Sequence, residues 1–165
     1  MLVRRIEYHR AMQMMRANAG SEYDLDAVLD FMRLLWSIEH GLQRMSKRME
    51  NEIGITGPQR LVLRVVGRFP GLSASELAHI VRLHPSTITG ILQRLVARGL
   101  LERQRDPLDT RRVRLRLKPK AAVHTRPTRG TVETAVTEAL EYVGPANVRA
   151  ARKVLKAIAE RLNAL

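Results

Sequence analysis

The chain has 165 residues, 45% of them apolar, and 29 Lys and Arg against 16 Asp and Glu give it a formal charge of +13. That length supports one domain with a real core, and so large a positive field implies a polyanionic partner, with DNA, RNA and anionic membrane all open on charge alone. The lack of cysteine excludes disulfide frameworks, thiolate zinc sites and thiol redox switches, and the 4% aromatic content supplies few stacking platforms for single-stranded bases.

Residues 1–23 carry Arg4, Arg5, Arg10 and Arg16 among Met and Ala and read as a basic N-terminal arm, an exposed terminal extension. The Met1–Ala19 segment is too basic and polar for a signal peptide, and no apolar run is long enough to span a bilayer. No membrane partner and a cytoplasmic location are therefore expected. From Asp24 a helical period sets in, with Leu25, Val28, Leu29, Met32, Leu35, Trp36, Leu42, Met45 and Met49 on one broad face, which predicts a long helix ending near Gly54.

Thr56 before Gly57-Pro58 is a helix start, and Leu61, Val62, Val65 and Val66 give that helix its apolar side up to Phe69-Pro70-Gly71. Ser73-Ala74-Ser75-Glu76 has the spacing of a capping box, in which hydroxyl and carboxylate each satisfy a free amide, and predicts a short helix over Ala74 to Val81. Pro85 can occupy the first position of the next helix, where its missing N–H is not needed. Gly99 ends that helix as a left-handed cap over which Leu100 folds back.

After Gly99 the period becomes alternating. Leu101, Arg103 and Arg105, then Val113, Leu115 and Leu117 against Arg112, Arg114 and Arg116, predict a β-hairpin with one apolar and one cationic face around the Asp106-Pro107-Leu108-Asp109 turn. Beyond Pro119 two helices are expected, Thr131 to Val143 and Ala146 to Leu165, with Pro127 and Gly130 breaking whatever precedes them. The predicted fold is mainly α with a small β-hairpin wing. A winged helix–turn–helix lobe over 57–120 is flanked by an N-terminal linking helix over 24–56 and C-terminal helices over 121–165, whose apolar faces a homodimer would bury.

At about 100° per residue, Ile88, Ile91, Leu92 and Leu95 define the buried side of the Pro85 helix. Ser86, Gly90, Gln93 and Ala97 then point away, with Thr87, Thr89 and Arg94 on the flanks. A solvated surface helix normally carries long charged residues there. Small or neutral hydrogen-bonders instead let the backbone approach a groove floor and let Gln93 reach a base edge, where a primary amide suits adenine. Gly90 costs about 1 kcal/mol relative to alanine in mid-helix, and Ser86, Thr87 and the first amides lie where a helix N-terminus favours a phosphate oxygen.

The hairpin from Leu101 to Lys120 carries an excess of five positive charges. Edge protection explains one or two cations, not this alternation of arginines. Arg111, just past the turn, is placed to enter a minor groove with Asp109 holding its guanidinium. Arg112 and Arg114, with Arg103 and Arg105 on the other strand, are candidates for backbone phosphates. Together these features point to double-stranded DNA.

Pro85-Ser86-Thr87-Ile88-Thr89 through Leu95, Arg98-Gly99-Leu100-Leu101-Glu102-Arg103 and Asp106-Pro107-Leu108-Asp109-Thr110-Arg111-Arg112 closely resemble the multiple antibiotic resistance regulator (MarR) family. The resemblance implies a homodimer with two winged heads joined by terminal helices, bound to a pseudo-palindromic operator and repressing nearby genes. It implies that Arg111 is the wing-tip arginine and Asp109 its acidic partner. Many members release DNA when a small aromatic effector, often phenolic or carboxylic, enters a pocket between the dimerisation helices and the DNA-binding lobe. This chain departs from the family pattern at Gly90, where many members carry arginine, at Lys118 and Ala121, where threonine and glycine are usual, and at Pro127 and Gly130. Its lack of cysteine rules out the peroxide-sensing thiol mechanism of part of the family.

The five histidines, His9, His40, His79, His84 and His124, lie at no tight metal-ligand spacing and read as surface or capping residues, so no metal or cofactor is expected. No nucleophile elbow, phosphate-cradling glycine loop or paired-carboxylate site is present, so an enzyme is not expected. Phe31 and Trp36 on the long helix could line an effector pocket, but such residues are more often core, and they read as core. The competing classes are a sequence-neutral architectural DNA-binding protein, marked by a steep salt dependence without a discrete footprint, and a protein-interaction module, for which the clustered arginines give little support.

Overall fold

The structure, a computed structural model, describes residues 25–107, 109 and 111–164. The basic arm expected over residues 1–23 lies outside them. The chain divides into two compact units at His40/Gly41, and α1 (Ala27–Ile53) runs from the first into the second.

In the first unit, Asp26 caps α1 by accepting the amides of Val28 and Leu29 at 2.8 and 3.0 Å. This is what an aspartate at a helix start does for amides that have no intrahelical acceptor. The expected apolar face is present but uncovered. Val28 is 68% and Trp36 58% exposed, and Leu25, Leu29, Phe31 and Met32 are exposed as well. The reading of Phe31 and Trp36 as core residues is therefore corrected, because both are exposed among the described residues.

The second unit begins with the rest of α1, which closes at Gly54, and contains α2 (Gly57–Arg68), α3 (Ala74–Val81), α4 (Pro85–Ala97), β1 (Leu101–Arg105) and β2 (Val113–Leu117). A 3-10 turn (Pro119–Ala121), a one-turn helix α5 (Ala122–Thr125) and α6 (Val132–Leu162) follow. Thr56 starts α2 through a full capping box, its hydroxyl accepting the Gln59 amide at 3.3 Å while the Gln59 side chain accepts the Thr56 amide at 3.1 Å. The same device starts α3, with Ser73 and Glu76 bonded at 3.2 and 2.8 Å. Gly99 (φ 66°) turns the chain out of α4, and the Leu100 amide reaches back to the Leu95 carbonyl at 3.0 Å. A side-chain-bearing residue there pays about 1–2 kcal/mol for the left-handed backbone.

One core is built from Ile55, Val62, Leu63 and Val66 of the α2 region, Leu77 and Ala78 of α3, Ile88, Ile91, Leu92 and Leu95 of α4, and Leu100, Leu101, Leu115 and Ala121 around the hairpin. Each large aliphatic side chain buried this way stabilises the fold by about 1.5–3 kcal/mol. The loop before α3 joins the hairpin edge, with the Gly71 amide on the Leu115 carbonyl and the Leu115 amide on the Leu72 carbonyl. The hairpin thereby lies bonded to the helix–turn–helix, and the lobe is a winged helix–turn–helix.

The antiparallel register pairs Leu101 with Leu117, Arg103 with Leu115 and Arg105 with Val113. Directly paired residues share a face, so Arg103 and Arg105 stand on the same face as Leu115. The expected division into one apolar and one cationic face is thus corrected. The face bearing Leu101, Leu115 and Leu117 is apolar at its base and cationic toward the tip, because Arg103 and Arg105 extend beyond the core.

The interval that precedes Pro127, left open by the sequence pattern, is occupied by the 3-10 turn and α5, and α5 packs on α2. The loop 126–131, with Gly130 at φ 74°, then leads to α6. Gly144 breaks α6 at φ 78°, ψ 162°, a conformation open essentially to glycine alone, and Pro145 behind it has no amide to continue the ladder. This divides α6 where two helices were expected.

Arg60 of α2 is 1% exposed. Its Nε donates to Glu133 at the start of α6 and its Nη2 donates to the Arg126 carbonyl at 2.6 Å. Arg64 reaches the same carboxylate at 3.0 Å. Burial pushes the Glu133 carboxyl up, but the hydrogen bonds from Arg60, its own backbone and Thr131 outweigh this and hold its pKa below the ordinary range. This ion pair locks the head to the helix that follows it.

Candidate nucleic-acid interface

Pro85 stands at the first position of α4, and its N-cap is His84, whose Nδ1 accepts the Ser86 amide at 3.3 Å and lies 2.7 Å from Ser86 Oγ. Ile88, Ile91, Leu92 and Leu95 are buried against the core. Ser86, Thr87, Thr89, Gln93 and Arg94 are exposed and Gly90 is half-buried, so one helix brings all six together on its open side. They do not have equal freedom. Thr89 Oγ1 donates to the Pro85 carbonyl at 2.9 Å, and Ser86 is held in the cap. Gln93 and Arg94 carry the long polar side chains of this surface.

The wing places Arg103, Arg105, Arg111 and Arg112 in solvent, and none of them forms an ion pair among the described residues. Arg114 differs, because its guanidinium meets the carboxylate of Asp106 at 2.5 Å through both Nε and Nη2, and Asp106 is 2% exposed. Its charge is already paired at the turn end of the strands, which sets it apart from the free arginines with which its sequence position groups it. Asp109 also acts differently from the expectation. Its carboxylate accepts the Arg111 amide at 3.1 Å and its carbonyl accepts the Arg112 amide at 2.9 Å, so it shapes the turn backbone that carries Arg111.

Glu76 connects helix–turn–helix and wing electrostatically. The Ser73 amide and hydroxyl, and then Arg112 and Arg114, hold its carboxyl below the usual range. An open cleft of about 410 Å³ lies between α3 and α4, lined by Ala74, Ala78, Leu83, Pro85 and Ile88 with Ser75, His79 and Thr89 at polar positions. Among the described residues no group of three or more His, Cys, Asp or Glu could hold a metal ion, and no helix is long and apolar enough to cross a membrane.

Sequence reasoning does not single out Asp106 or Gln59. Gln59 was accessible from the Thr-x-x-Gln spacing of a capping box, whereas the role of Asp106 emerges only when the hairpin register brings Arg114 beside it.

Comparison with known proteins agrees with this geometry. The sequence pattern of the MarR family matches residues 53–112, from the end of α1 to the wing tip. Over 96 residues, 58% of this chain, the sequence is 30% identical to the HTH-type transcriptional regulator YsmB of Bacillus subtilis (strain 168) and 34% identical to the HTH-type transcriptional regulator TtmR of Methylorubrum extorquens (strain PA1). These matches span 66% and 48% of the lengths of those relatives. The crystal structure of the PcaV transcriptional regulator from Streptomyces coelicolor, in complex with its natural ligand, superposes with a TM-score of 0.67 at 25% identity over 84% of this chain and 97% of that one. With its winged helix–turn–helix and the matched stretch from α1 to the wing tip, the chain belongs to the MarR family of winged-helix transcription regulators.

Proposed function

We propose that this protein is a homodimeric, sequence-specific regulator that works in the cytoplasm on double-stranded DNA and represses transcription from a pseudo-palindromic operator until a small aromatic ligand releases it. The observation that carries the reading is the open side of α4, where Ser86, Thr89 and Gly90 are small and Gln93 and Arg94 supply the long donors, beside four arginines that form no ion pair among the described residues. A helix with such a face can lie in a major groove while the wing follows the backbone, Arg111 entering the minor groove and Arg103, Arg105 and Arg112 facing phosphates. Arg114, held by Asp106, fixes the wing from which they project.

Dimerisation is supported by the apolar faces that are exposed among the described residues, Val28, Leu29 and Trp36 in the first unit and Val136, Leu140, Val154 and Leu155 on α6. A second copy would cover them symmetrically and set two reading helices one helical turn apart. Release by a ligand is supported by the likeness to PcaV, whose structure holds its natural ligand. The apolar cleft behind the reading helix has room for a small aromatic ring.

Footprinting of the purified protein on DNA upstream of its own coding region, with excess random competitor, tests the reading. The expected result is two protected half-sites about one helical turn apart, with a specific duplex bound at least about 10³-fold tighter than random DNA. Arg111→Ala is expected to weaken that binding strongly. Equal affinity for all duplexes with a steep salt dependence would replace this reading with a sequence-neutral architectural protein.

A further inference from the structure

Gly90 stands near the centre of the open side of α4 and carries no side chain, so the direct route from that position to a groove floor is empty. The space is nonetheless used. A Cβ built on Gly90 would lie 3.9 Å from Nη2 of Arg94, one turn further along the helix. Side chains in helices lean toward the N-terminus and cover the turn before their own Cα. Arg94 follows that rule, and its backbone position, about 70° from the outward direction at about 100° per residue, understates where its charge is delivered. The guanidinium lies over the small residue at the middle of the face. Among the described residues it makes no hydrogen bond or ion pair, in contrast to Arg114 on the wing and Arg60 beneath the head.

Resting on the DNA-binding reading above, we propose that Arg94, brought over Gly90, is the principal specificity-determining residue of this protein and reads a guanine in each half-site. Three observations combine in this assignment. The group is a planar fork of donors without acceptors, the geometry that matches O6 and N7 of guanine. It is unpaired and therefore pays no exchange of partners on binding. It is steered to the centre of the surface by the absence of a side chain at position 90, so Gly90 acts as the receptacle that makes the reader's pose available. Gln93, the other long polar group on this face, then serves a neighbouring base.

The geometry also predicts the substitutions that Gly90 tolerates. A contact of 3.9 Å is ordinary van der Waals distance, so Gly90→Ala leaves the arginine in place and strengthens the helix. Gly90→Leu fills the space and moves the guanidinium aside while leaving its charge on the helix.

The experiment is selection of bound duplexes from a randomised pool by the full-length wild type and by Arg94→Ala, Arg94→Lys, Gly90→Ala and Gly90→Leu, with thermal unfolding of each to establish that it is folded. The expected result is one guanine per half-site whose preference over other bases falls by about 5- to 150-fold in Arg94→Ala. A comparable loss in Arg94→Lys and Gly90→Leu, but not in Gly90→Ala, is expected while the rest of the site is still selected. The proposal is overturned if Arg94→Ala weakens all duplexes evenly, lowers the salt slope by about one, and is rescued by Arg94→Lys, because that pattern belongs to a phosphate contact. It is equally overturned if the selected site is the same with and without Arg94. A wild type that selects no sequence overturns the regulator reading itself, so the two failures are distinct.

Discussion

The winged head and the terminal helices hide their apolar residues to opposite degrees. In the head, Ile88, Leu92, Leu95, Leu101 and Leu115 are each 1% exposed or less, whereas on α6 Val136, Leu140, Val154 and Leu155 keep 42–47% of their surface, and no residue of α6 is buried. Both regions have a helical apolar stripe, so periodicity alone does not tell them apart. The difference lies in what each stripe meets. The head closes on itself because three short helices and a hairpin surround one centre. The long helices carry stripes that the described residues leave exposed, which is the pattern expected when the missing layer is a second copy.

This contrast can be broken most forcefully at Leu92, which is fully buried. Leu92→Ala is expected to destabilise the head by about 2–5 kcal/mol through lost burial and the cavity left behind, measurable by denaturant unfolding. Leu140→Asp should behave in the reverse manner. At high dilution it is expected to leave unfolding of the head nearly unchanged, while light scattering shows the mass falling toward that of one chain at concentrations where the wild type is paired. Equal effects of the two substitutions on a monomeric head would show that α6 is covered from within the chain.

A second test sharpens the boundary between the two regions, where Glu133 at the start of α6 takes Arg60 and Arg64 of α2. Glu133→Gln leaves the buried Arg60 guanidinium without its counter-charge. It is expected to cost about 2–3 kcal/mol, below the roughly 3–5 kcal/mol of a fully buried pair because Glu133 retains some access to water. Arg60→Met removes the charge that needs compensation and keeps much of the side-chain volume, so it should cost less than Glu133→Gln. The opposite order, read from unfolding curves, would mean that the joint is held by the packing of Arg60 rather than by its charge.

The same contrast explains what could be read in the sequence. The Ser73/Glu76 box, the Gly99 cap and the buried stripe of α4 are local, each specified by residues within a few positions, and they appear where the spacing predicts them. Arg60 and Glu133 lie 73 residues apart. In the sequence Arg60 is one more cation in a basic chain, and only the packing of α2 beside the start of α6 makes it a buried one. Alternation puts Leu101, Arg103 and Arg105 on one face of their strand, but it says nothing of register with the next strand, and only the register shows that Arg103 and Arg105 share the face of Leu115 and Val113. Asp106 and Arg114, only eight residues apart, are separated by the same unknown. The open arginines of the wing and the polar side of α4 were legible because exposure needs no partner to be inferred.

The smallest expected effect tests whether the cationic surroundings of the joint are felt inside the head. His124 on α5 has its pKa lowered from 6.5, first by burial and then by Arg98, Arg60 and Lys120. Above pH 6.5 the imidazole is neutral both folded and unfolded and contributes no pH dependence. As pH falls below 6.5 the unfolded chain takes up a proton that the folded one resists, so stability declines until pH reaches the folded value, beneath which both states are protonated and the loss is constant. Glu133 acts in a lower window, its contribution being lost as pH falls from 4.5 through its own lowered value. His124→Gln should flatten the upper segment of a stability-versus-pH curve measured by thermal unfolding and leave the lower segment in place. An unchanged upper segment would locate that proton uptake elsewhere and would mean that the charges of Arg60 and Arg98 are screened before they reach α5.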